Sequence, residues 1–583
     1  MMVMVSFTPC LNEMSKFSES TLSARTIWWF FAIAFVVLFA GYGLRDPWPA
    51  DEPRFVLVAK QMVESGNWLF PHRGIELYPD KPPVYFWLLA LSYFLIGSWR
   101  WSFLLPSLLS GMAVLWLVYD LGRRLWQPRA GLWAAAAILV SLQFMYQFKR
   151  AQIDPTLVLM TTASFYLIAR HVLLERDWRL LCGGFALAGL GVITKGVGFL
   201  PLLALLPLVA YRHWQCAPMT AAQRGDGWRW LAAVGCFLLP IGLWLSSIIY
   251  LGLNSGNPEH AEYLNNILFK QTAERYTNPW HHYEPFWYFA EIITLFWLPF
   301  SLSWFWLLKP WRTAFSERDL RVLFPLVWGA LVVLFFSISS GKRDMYILPA
   351  LPAFALAAAP YLQGLSERRG FRLALLAFVL MLGLIFTGLG IAALSGQAGF
   401  VETLVGQRGL GAEVRWLWWM LVVCGGISLL VGLWARTRHV LAAVAISLSV
   451  LWLGYGFVAH PVLDASSSAR KLMQQAFTQA GPGTEIGLVA WKEQNLLQAR
   501  GRVTEFGFRQ PHAVQLARGM AWMQQSPKTR LLLVHENKEL ACIDYGGPGT
   551  LAMDKANRRS WWLVNITAVT ACADVRTPLS WTP

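Results

Sequence analysis

Charge is what this chain has least of. Asp, Glu, Lys and Arg together make up 14% of its 583 residues, whereas soluble domains carry about 25%. Hydrophobic residues make up 56%, and the mean hydropathy is +0.44. That balance excludes an ordinary soluble domain and points to a polytopic membrane protein. Cysteine is also sparse. The seven present show no paired metal-ligand spacing, which excludes a cysteine-built metal site. Cys182, Cys236 and Cys424 lie inside apolar segments and read as small core residues. Cys542 and Cys572 lie in the polar C-terminal region and could form a disulfide if that region is outside the cytoplasm. The first 25 residues lack a small-residue cleavage site behind a short apolar core, so 1–25 reads as an uncleaved cytoplasmic tail. No basic helix or aromatic-interleaved basic groove is present, so the formal net charge of +16 does not imply a nucleic-acid partner. Lys and Arg sit instead in short clusters between apolar segments, as membrane topology requires.

What is present in abundance is apolar sequence. Runs long enough to cross a bilayer occur near 26–44, 101–121, 130–147, 156–174, 229–253, 286–308, 322–339, 345–363, 371–394, 416–435 and 438–459. A longer stretch, 180–211, is broken by "TKG" at 194–196 and reads as two short spans. The total is about thirteen transmembrane helices by the roughly 20-residue span rule. A further run, "VYFWLLALSYFLIG" at 84–97, is about 14 residues long, the length of an interfacial or re-entrant segment. Loop charge decides its place. If it does not span, "GRRLWQPR", "RHVLLERDWR", "KPWRTAFSERDLR", "SERRGFR" and "ARTRH" all face the cytoplasm, and every one is rich in Arg. If it spans, the positive-inside bias inverts. Residues 84–97 are therefore expected to lie along or dip into the outer face.

The same parity gathers 45–83, 147–155, Lys195, 254–285, 340–346 and the region from 461 onward on the outer side. Three units follow: the tail 1–25, a transmembrane domain 26–460 with outer-face loops 45–100 and 254–285, and a domain 461–583. In the last, "EIGLVA", "RLLLVHE" and "WWLVNI" read as strands, while 468–481 and 512–525 read as helices. A small α/β periplasmic domain is the natural reading. "GPGT" at 481–484 and again at 547–550 is turn chemistry rather than a phosphate loop.

Polar residues converge on this outer face. "RDPWPADEPRF" at 45–55 supplies the adjacent acids Asp51 and Glu52, then Arg54. "ELYPDKPP" adds Tyr78, Asp80 and Lys81. "QFKRAQIDP" adds Lys149, Arg150 and Asp154. Lys195 stands at the helix break. The long loop contributes Arg275, Tyr276 and the tandem His281 and His282, and "GKRDMY" contributes Lys342, Arg343 and Tyr346. Any one such cation is usually a solvated or snorkelling loop charge. Several, facing separated carboxylates on one side of one bundle, make an anion site with acid–base capacity. Phosphate suits it, because Arg and Lys clamp phosphate and tyrosine hydroxyls add neutral donors. A membrane setting makes a lipid phosphate the expected ligand.

At these residues the sequence resembles a known family. "ADEPRFVLVAKQMVESGNWLFPHRGIELYPDKPPVYFWL" is similar to the first outer loop of the lipid-linked-sugar glycosyltransferases of the C-type fold. The likeness is chiefly to the aminoarabinose transferase (ArnT) group and, more distantly, to protein O-mannosyltransferases. "RAQIDPTLVLMTT", "GVITKGVGFL", "PFWYF" and "SSGKRDMYILPALP" follow in the family's order, so the resemblance covers roughly 26–365. It implies Asp51 as the catalytic carboxylate, with Glu52 beside it and Asp154 as the second acid across the cavity. It implies that Arg54, Lys81, Arg275, Lys342, Arg343 and Tyr346 contact a polyprenyl phosphate, with Tyr78 and Lys195 in support. The family transfers one sugar from a polyprenyl-monophosphate donor with inversion. The resemblance therefore implies a multi-pass protein of the bacterial inner membrane that works on its periplasmic face. Lipid A or another envelope glycan is the expected acceptor and a protein hydroxyl the runner-up; a transporter or flippase of lipid-linked sugars is the rival class. Three departures stand out: Asp80 where Glu is frequent, Phe55 where Tyr is common, and "QTAERY" in place of a motif whose His helps bind a divalent metal in relatives. Asp80, His281 and His282 are the residues left to hold zinc or another divalent ion.

Overall fold

A computed structural model of the chain describes residues 22–206, 208–209, 226–268, 283–339, 341–396 and 399–569. The N-terminal tail expected over 1–25 falls almost entirely outside these residues. So do Arg275, Tyr276, His281, His282 and Cys572.

In a bilayer the backbone must satisfy its own hydrogen bonds, so apolar runs fold as helices. Seven helices among the described residues are long and apolar enough to cross. They are Trp99–Leu125, Ile153–Leu173, Asp226–Asn254, Leu320–Ile338, Arg369–Leu394, Val414–Ala435 and Val440–Ser467. Two bent pairs raise the number to nine if each is one crossing: Pro128–Val140 with Leu142–Phe148, bent by 69°, and Tyr288–Phe296 with Phe300–Glu317, bent by 103°. The expected count of about thirteen is finer than length and composition support. The segments behind the difference are too short or not apolar enough along their helical length. The first helix, α1 (Ala24–Phe39), has 16 residues. Trp178–Lys195 has 18 residues and stops at Gly196, whose φ of +40° breaks the helix inside "TKG". Ala350–Glu367, also 18 residues, is preceded by a separate 3₁₀ turn, Asp344–Ile347.

Helix α2 (Glu52–Ser65) buries Phe55, Val56, Leu57, Val58, Ala59 and Met62, and ends at Gly66 in the left-handed conformation, φ +72°. Helix α3 (Val84–Ile96) has 13 residues. At 1.5 Å per residue that is about 20 Å, short of a hydrocarbon core of about 30 Å. Its far end leaves Leu91, Phe94 and Leu95 exposed. Close packing elsewhere depends on small residues. A Cβ on Gly425 would sit 2.4 Å from Thr387 Oγ1 and 2.7 Å from the Gly383 carbonyl, so Arg369–Leu394 and Val414–Ala435 touch almost backbone to backbone.

The C-terminal region combines strands and helices. Strands β1 (His72–Arg73) and β2 (Glu76–Leu77) form a small hairpin in the first outer loop. Strands β3 (Glu485–Leu488), β4 (Val503–Glu505), β5 (Arg530–His535), β6 (Thr550–Ala552) and β7 (Trp561–Val564) form one sheet in the order β4-β3-β5-β7-β6. Strands β4, β3 and β5 are parallel, while β7 and β6 run antiparallel. Helices Arg470–Ala480 and His512–Gln525 match the two expected. The apolar runs of β3, β5 and β7 are buried on consecutive residues, among them Ile486, Leu488, Leu532, Leu533, Val534, Leu563 and Val564. The edge strands β4 and β6 were not read from the sequence. Each has three residues, too few to show a period of two. Gly481 and Gly483 take φ of +82° and +81°, as turn chemistry in "GPGT" requires. Cys542 is disulfide-bonded.

Loop charge makes the orientation testable. Reporters fused after residue 100 and after Arg150 are expected to read as external, and one after Arg124 as cytoplasmic. An external reading at 124 together with a cytoplasmic one at 150 would invert the topology.

Candidate active site

Asp51 occupies the N-cap position of α2 but makes no capping bond. An Asp at that position ordinarily accepts from the helix's own N–H groups. Here its carboxylate instead faces two guanidinium groups: Arg54 Nη1 at 3.5 Å, one turn along α2, and Arg343 Nη2 at 3.6 Å, from a distant segment. The Asp51 side chain remains 15% exposed. It is an accessible carboxylate held between two cations.

A second centre lies at the head of Ile153–Leu173. Asp154, in the first turn of that helix, accepts from Lys195 Nζ at 2.5 Å. The Lys195 ammonium also lies 5.0 Å from the centre of the Tyr346 ring, within cation–π range. Helix termination at "TKG" is what projects Lys195 here. The two centres meet through one 3₁₀ turn, in which the Tyr346 N–H donates to the Arg343 carbonyl at 3.0 Å. Arg343 thus reaches Asp51 while Tyr346, three residues on, covers Lys195. Lys342, next in line, is buried and donates to the Glu284 carbonyl at 2.8 Å, and an antiparallel bridge pairs Tyr283 with Gly341. The long loop and "GKRDMY" are therefore stitched together.

Glu52 is placed differently from the role expected for it. Its side chain is 0% exposed. Its carboxylate accepts four hydrogen bonds: from Arg45 Nη1 at 2.5 Å, Arg45 Nη2 at 2.8 Å, the Trp48 N–H at 2.7 Å and the Ala151 N–H at 2.9 Å. A carboxylate has about four lone-pair sites, so none is left for a substrate. Burial would raise its pKa, but Arg45, Arg150 and the Trp48 N–H together outweigh that and hold it below the ordinary value. Glu52 ties the first outer loop to the head of the 147–155 loop, and the adjacent acids split into one inward and one outward group. Lys149 likewise turns inward. Its Nζ donates to the carbonyls of Val37, Leu38 and Ala40 at 2.8, 3.3 and 2.7 Å, closing the end of α1.

Tyr78 is fully buried, beside the Arg54 and Arg73 guanidinium groups. Burial first, then Asp80, raises its pKa, so it stays a neutral phenol. Lys81 is half-buried on the turn that leads through two prolines into α3. Asp80 faces Arg509 of the C-terminal domain at 3.5 Å. The two histidines expected beside it as metal ligands lie outside the described residues. Among the described residues, no group of three or more His, Cys, Asp or Glu is arranged to hold a metal ion, and no chemistry is assigned here to a metal.

Contacts from the C-terminal domain to this site are not legible in the sequence. Glu493 accepts from Arg54 Nε at 2.8 Å and from Arg73 Nη1 at 3.4 Å. Glu505 accepts from the Ile75 N–H at 2.6 Å, and the Arg509 N–H donates to the Glu76 carboxylate. Arg470 pairs with Asp46 at 2.5 Å, and Asp464 accepts from the Asp46 N–H and Trp48 Nε1. Every one of these pairs joins residues more than 400 positions apart, beyond the reach of local pattern.

Comparison with known proteins bears on this arrangement. Residues 80–239 match the family described as dolichyl-phosphate-mannose-protein mannosyltransferase. The undecaprenyl phosphate-alpha-4-amino-4-deoxy-L-arabinose arabinosyl transferase 2 of Sodalis glossinidius is 30% identical over 327 residues, 54% of this chain and 56% of that protein. A transferase of the same description from Pectobacterium atrosepticum is 27% identical over 524 residues, 88% of this chain and 86% of that one. The chain thus spans about half the length of the first of these relatives and most of the second. The crystal structure of ArnT from Cupriavidus metallidurans bound to undecaprenyl phosphate superposes with a TM-score of 0.70 at 20% identity, covering 93% of this chain and 98% of that one. The chain has the C-type glycosyltransferase fold. The apo form of that ArnT superposes with a TM-score of 0.72 at 20% identity, covering 94% of this chain and 100% of that one. The resemblance carried by the outer-loop motifs is met. This C-type fold sets the first outer loop, the 342–346 turn and the C-terminal domain around Asp51.

Proposed function

We propose that this protein transfers a sugar from a polyprenyl-phosphate donor to an acceptor at the periplasmic face of a bacterial inner membrane. Lipid A or another envelope glycan is the acceptor proposed. The observation that carries this reading is the uncapped Asp51 carboxylate held between Arg54 and Arg343. The relatives' printed donor, undecaprenyl phosphate-linked 4-amino-4-deoxy-L-arabinose, is the first to test.

In this reading the acceptor oxygen attacks the anomeric carbon from the face opposite the phosphate. The new glycosidic bond forms as the bond from the anomeric carbon to the phosphate oxygen breaks, which inverts the centre. Asp51 orients the acceptor and takes its proton where it is a hydroxyl. Arg54, Arg343, Lys81 and Lys342 stabilise the charge growing on the leaving phosphate. Arg54 is well suited, since burial works against its charge but Glu493, with Tyr78 and Asp51, outweighs that and raises its pKa. Asp154, neutralised by Lys195, is a second carboxylate for the sugar or the acceptor. The match over 80–239 favours a second reading in which the acceptor is a protein hydroxyl.

Mass spectrometry of lipid A and surface glycans, with and without the gene, tests the acceptor. A sugar lost from lipid A supports the reading, and a sugar lost from protein alone moves it to the second. No glycan change, with altered export of lipid-linked sugar, would make the protein a transporter. Removing one charge-assisted contact to phosphate costs about 1.5–3 kcal/mol. Arg54→Ala is therefore expected to weaken donor binding about 10- to 150-fold, read as the donor concentration for half-maximal transfer.

A further inference from the structure

Glu493 is a buried acid, its side chain 4% exposed, that belongs to the C-terminal domain, yet both cations it touches belong to the first outer loop of the membrane domain. It opens the short helix Glu493–Leu497, which packs against α2. Its Oε1 takes the Nε edge of Arg54 at 2.8 Å, while Arg54 Nη1 points toward Asp51 at 3.5 Å. A guanidinium offers five N–H donors in a rigid plane. Engaging the Nε edge fixes that plane and leaves the far end of the fork directed at the reacting face. Arg73, the second partner, is itself fixed, its guanidinium carbon 3.8 Å from the Phe508 ring centre and 5.3 Å from that of Tyr78. It holds Glu493 in place without competing for the Asp51 face.

We propose that Glu493 is a positioning residue for donor binding: it aims the Arg54 fork at the lipid phosphate and so makes the C-terminal domain a working part of the donor site. This rests on the functional reading above. A domain that only covered the outer face would not need to bury a carboxylate against a loop cation. Such a pair is costly to desolvate and is worth keeping when it fixes geometry. Lys492, the neighbouring residue, has its ammonium 5.5 Å from the Phe508 ring, the ring that also lies against Arg73.

The test is a two-by-two cycle of Glu493→Ala and Arg54→Ala in the purified full-length protein, reading donor KM and kcat separately with an undecaprenyl-phosphate-linked sugar. Glu493→Ala is expected to raise donor KM about 3- to 10-fold with a smaller change in kcat, and Glu493→Gln, which keeps an acceptor for Nε, to recover part of it. In the Arg54→Ala background, Glu493→Ala should change donor KM no further, because both act through one guanidinium. Full additivity, or a fall in kcat alone, would make Glu493 a seam contact and overturn the proposal. If Glu493→Ala does not fold, the Gln variant and its combination with Arg54→Ala carry the same comparison. A wild-type protein with no saturable donor dependence would defeat the functional reading itself, a result distinct from additivity in the cycle.

Discussion

Asp51→Asn is expected to lower sugar transfer by about 10²- to 10⁴-fold, the range that a positioned acid or base contributes. The substitution keeps the size of the side chain but removes charge and basicity. Asp51 makes no capping bond, so α2 loses no helix contact and the protein should remain folded. Donor binding should persist or tighten, because a negative charge 3.5 Å from Arg54 and 3.6 Å from Arg343 is gone. The check is transfer by purified variant and wild type, with bound polyprenyl phosphate measured in parallel. Wild-type transfer by Asp51→Asn would remove Asp51 from the chemistry.

Glu52→Gln should behave in the opposite way. Removing one partner of a buried ion pair costs about 3–5 kcal/mol, because the other charge is left uncompensated. Arg45 is 1% exposed and would be that charge. We expect a marked fall in the thermal midpoint, followed by tryptophan fluorescence in detergent. Transfer per folded molecule should stay within about tenfold of wild type, the scale of a lost neutral contact. The pH dependence has a definite sign. Glu52 is held below its ordinary pKa, so its stabilisation is complete above the unfolded carboxylate range and is lost as pH falls through the lowered folded value. A Glu52→Gln protein as stable as wild type but unable to transfer would return Glu52 to the catalytic role its position beside Asp51 suggests.

The contrast between these neighbours shows what could be read from sequence. Asp51 and Glu52 are alike in type and position, and the motif marked both. Which one turns inward is decided by Arg45 and by the Ala151 N–H, 99 residues away, and no local pattern contains that information. The helical membrane architecture was legible because apolar length and loop charge are written along the chain. Lys195 was legible because "TKG" interrupts an apolar run at one place. The strands β3, β5 and β7 were legible because each is a short, buried apolar run between turn residues. The span count was not, because α1 is shorter as a helix than as a hydrophobic stretch and Ala350–Glu367 runs on into polar residues. Glu493 was beyond reach altogether, since its function depends on the docking of two regions more than 400 residues apart.

Transfer by the isolated protein tests the central claim most directly. The purified chain, reconstituted in liposomes with an undecaprenyl-phosphate-linked aminosugar and lipid A, should release free undecaprenyl phosphate in step with glycosylated acceptor. It should do so with inversion at the anomeric carbon, and Asp51→Asn should stop both products together. Movement of the intact lipid-linked sugar across the bilayer, with no new glycosidic bond and no effect of Asp51→Asn, would contradict the account.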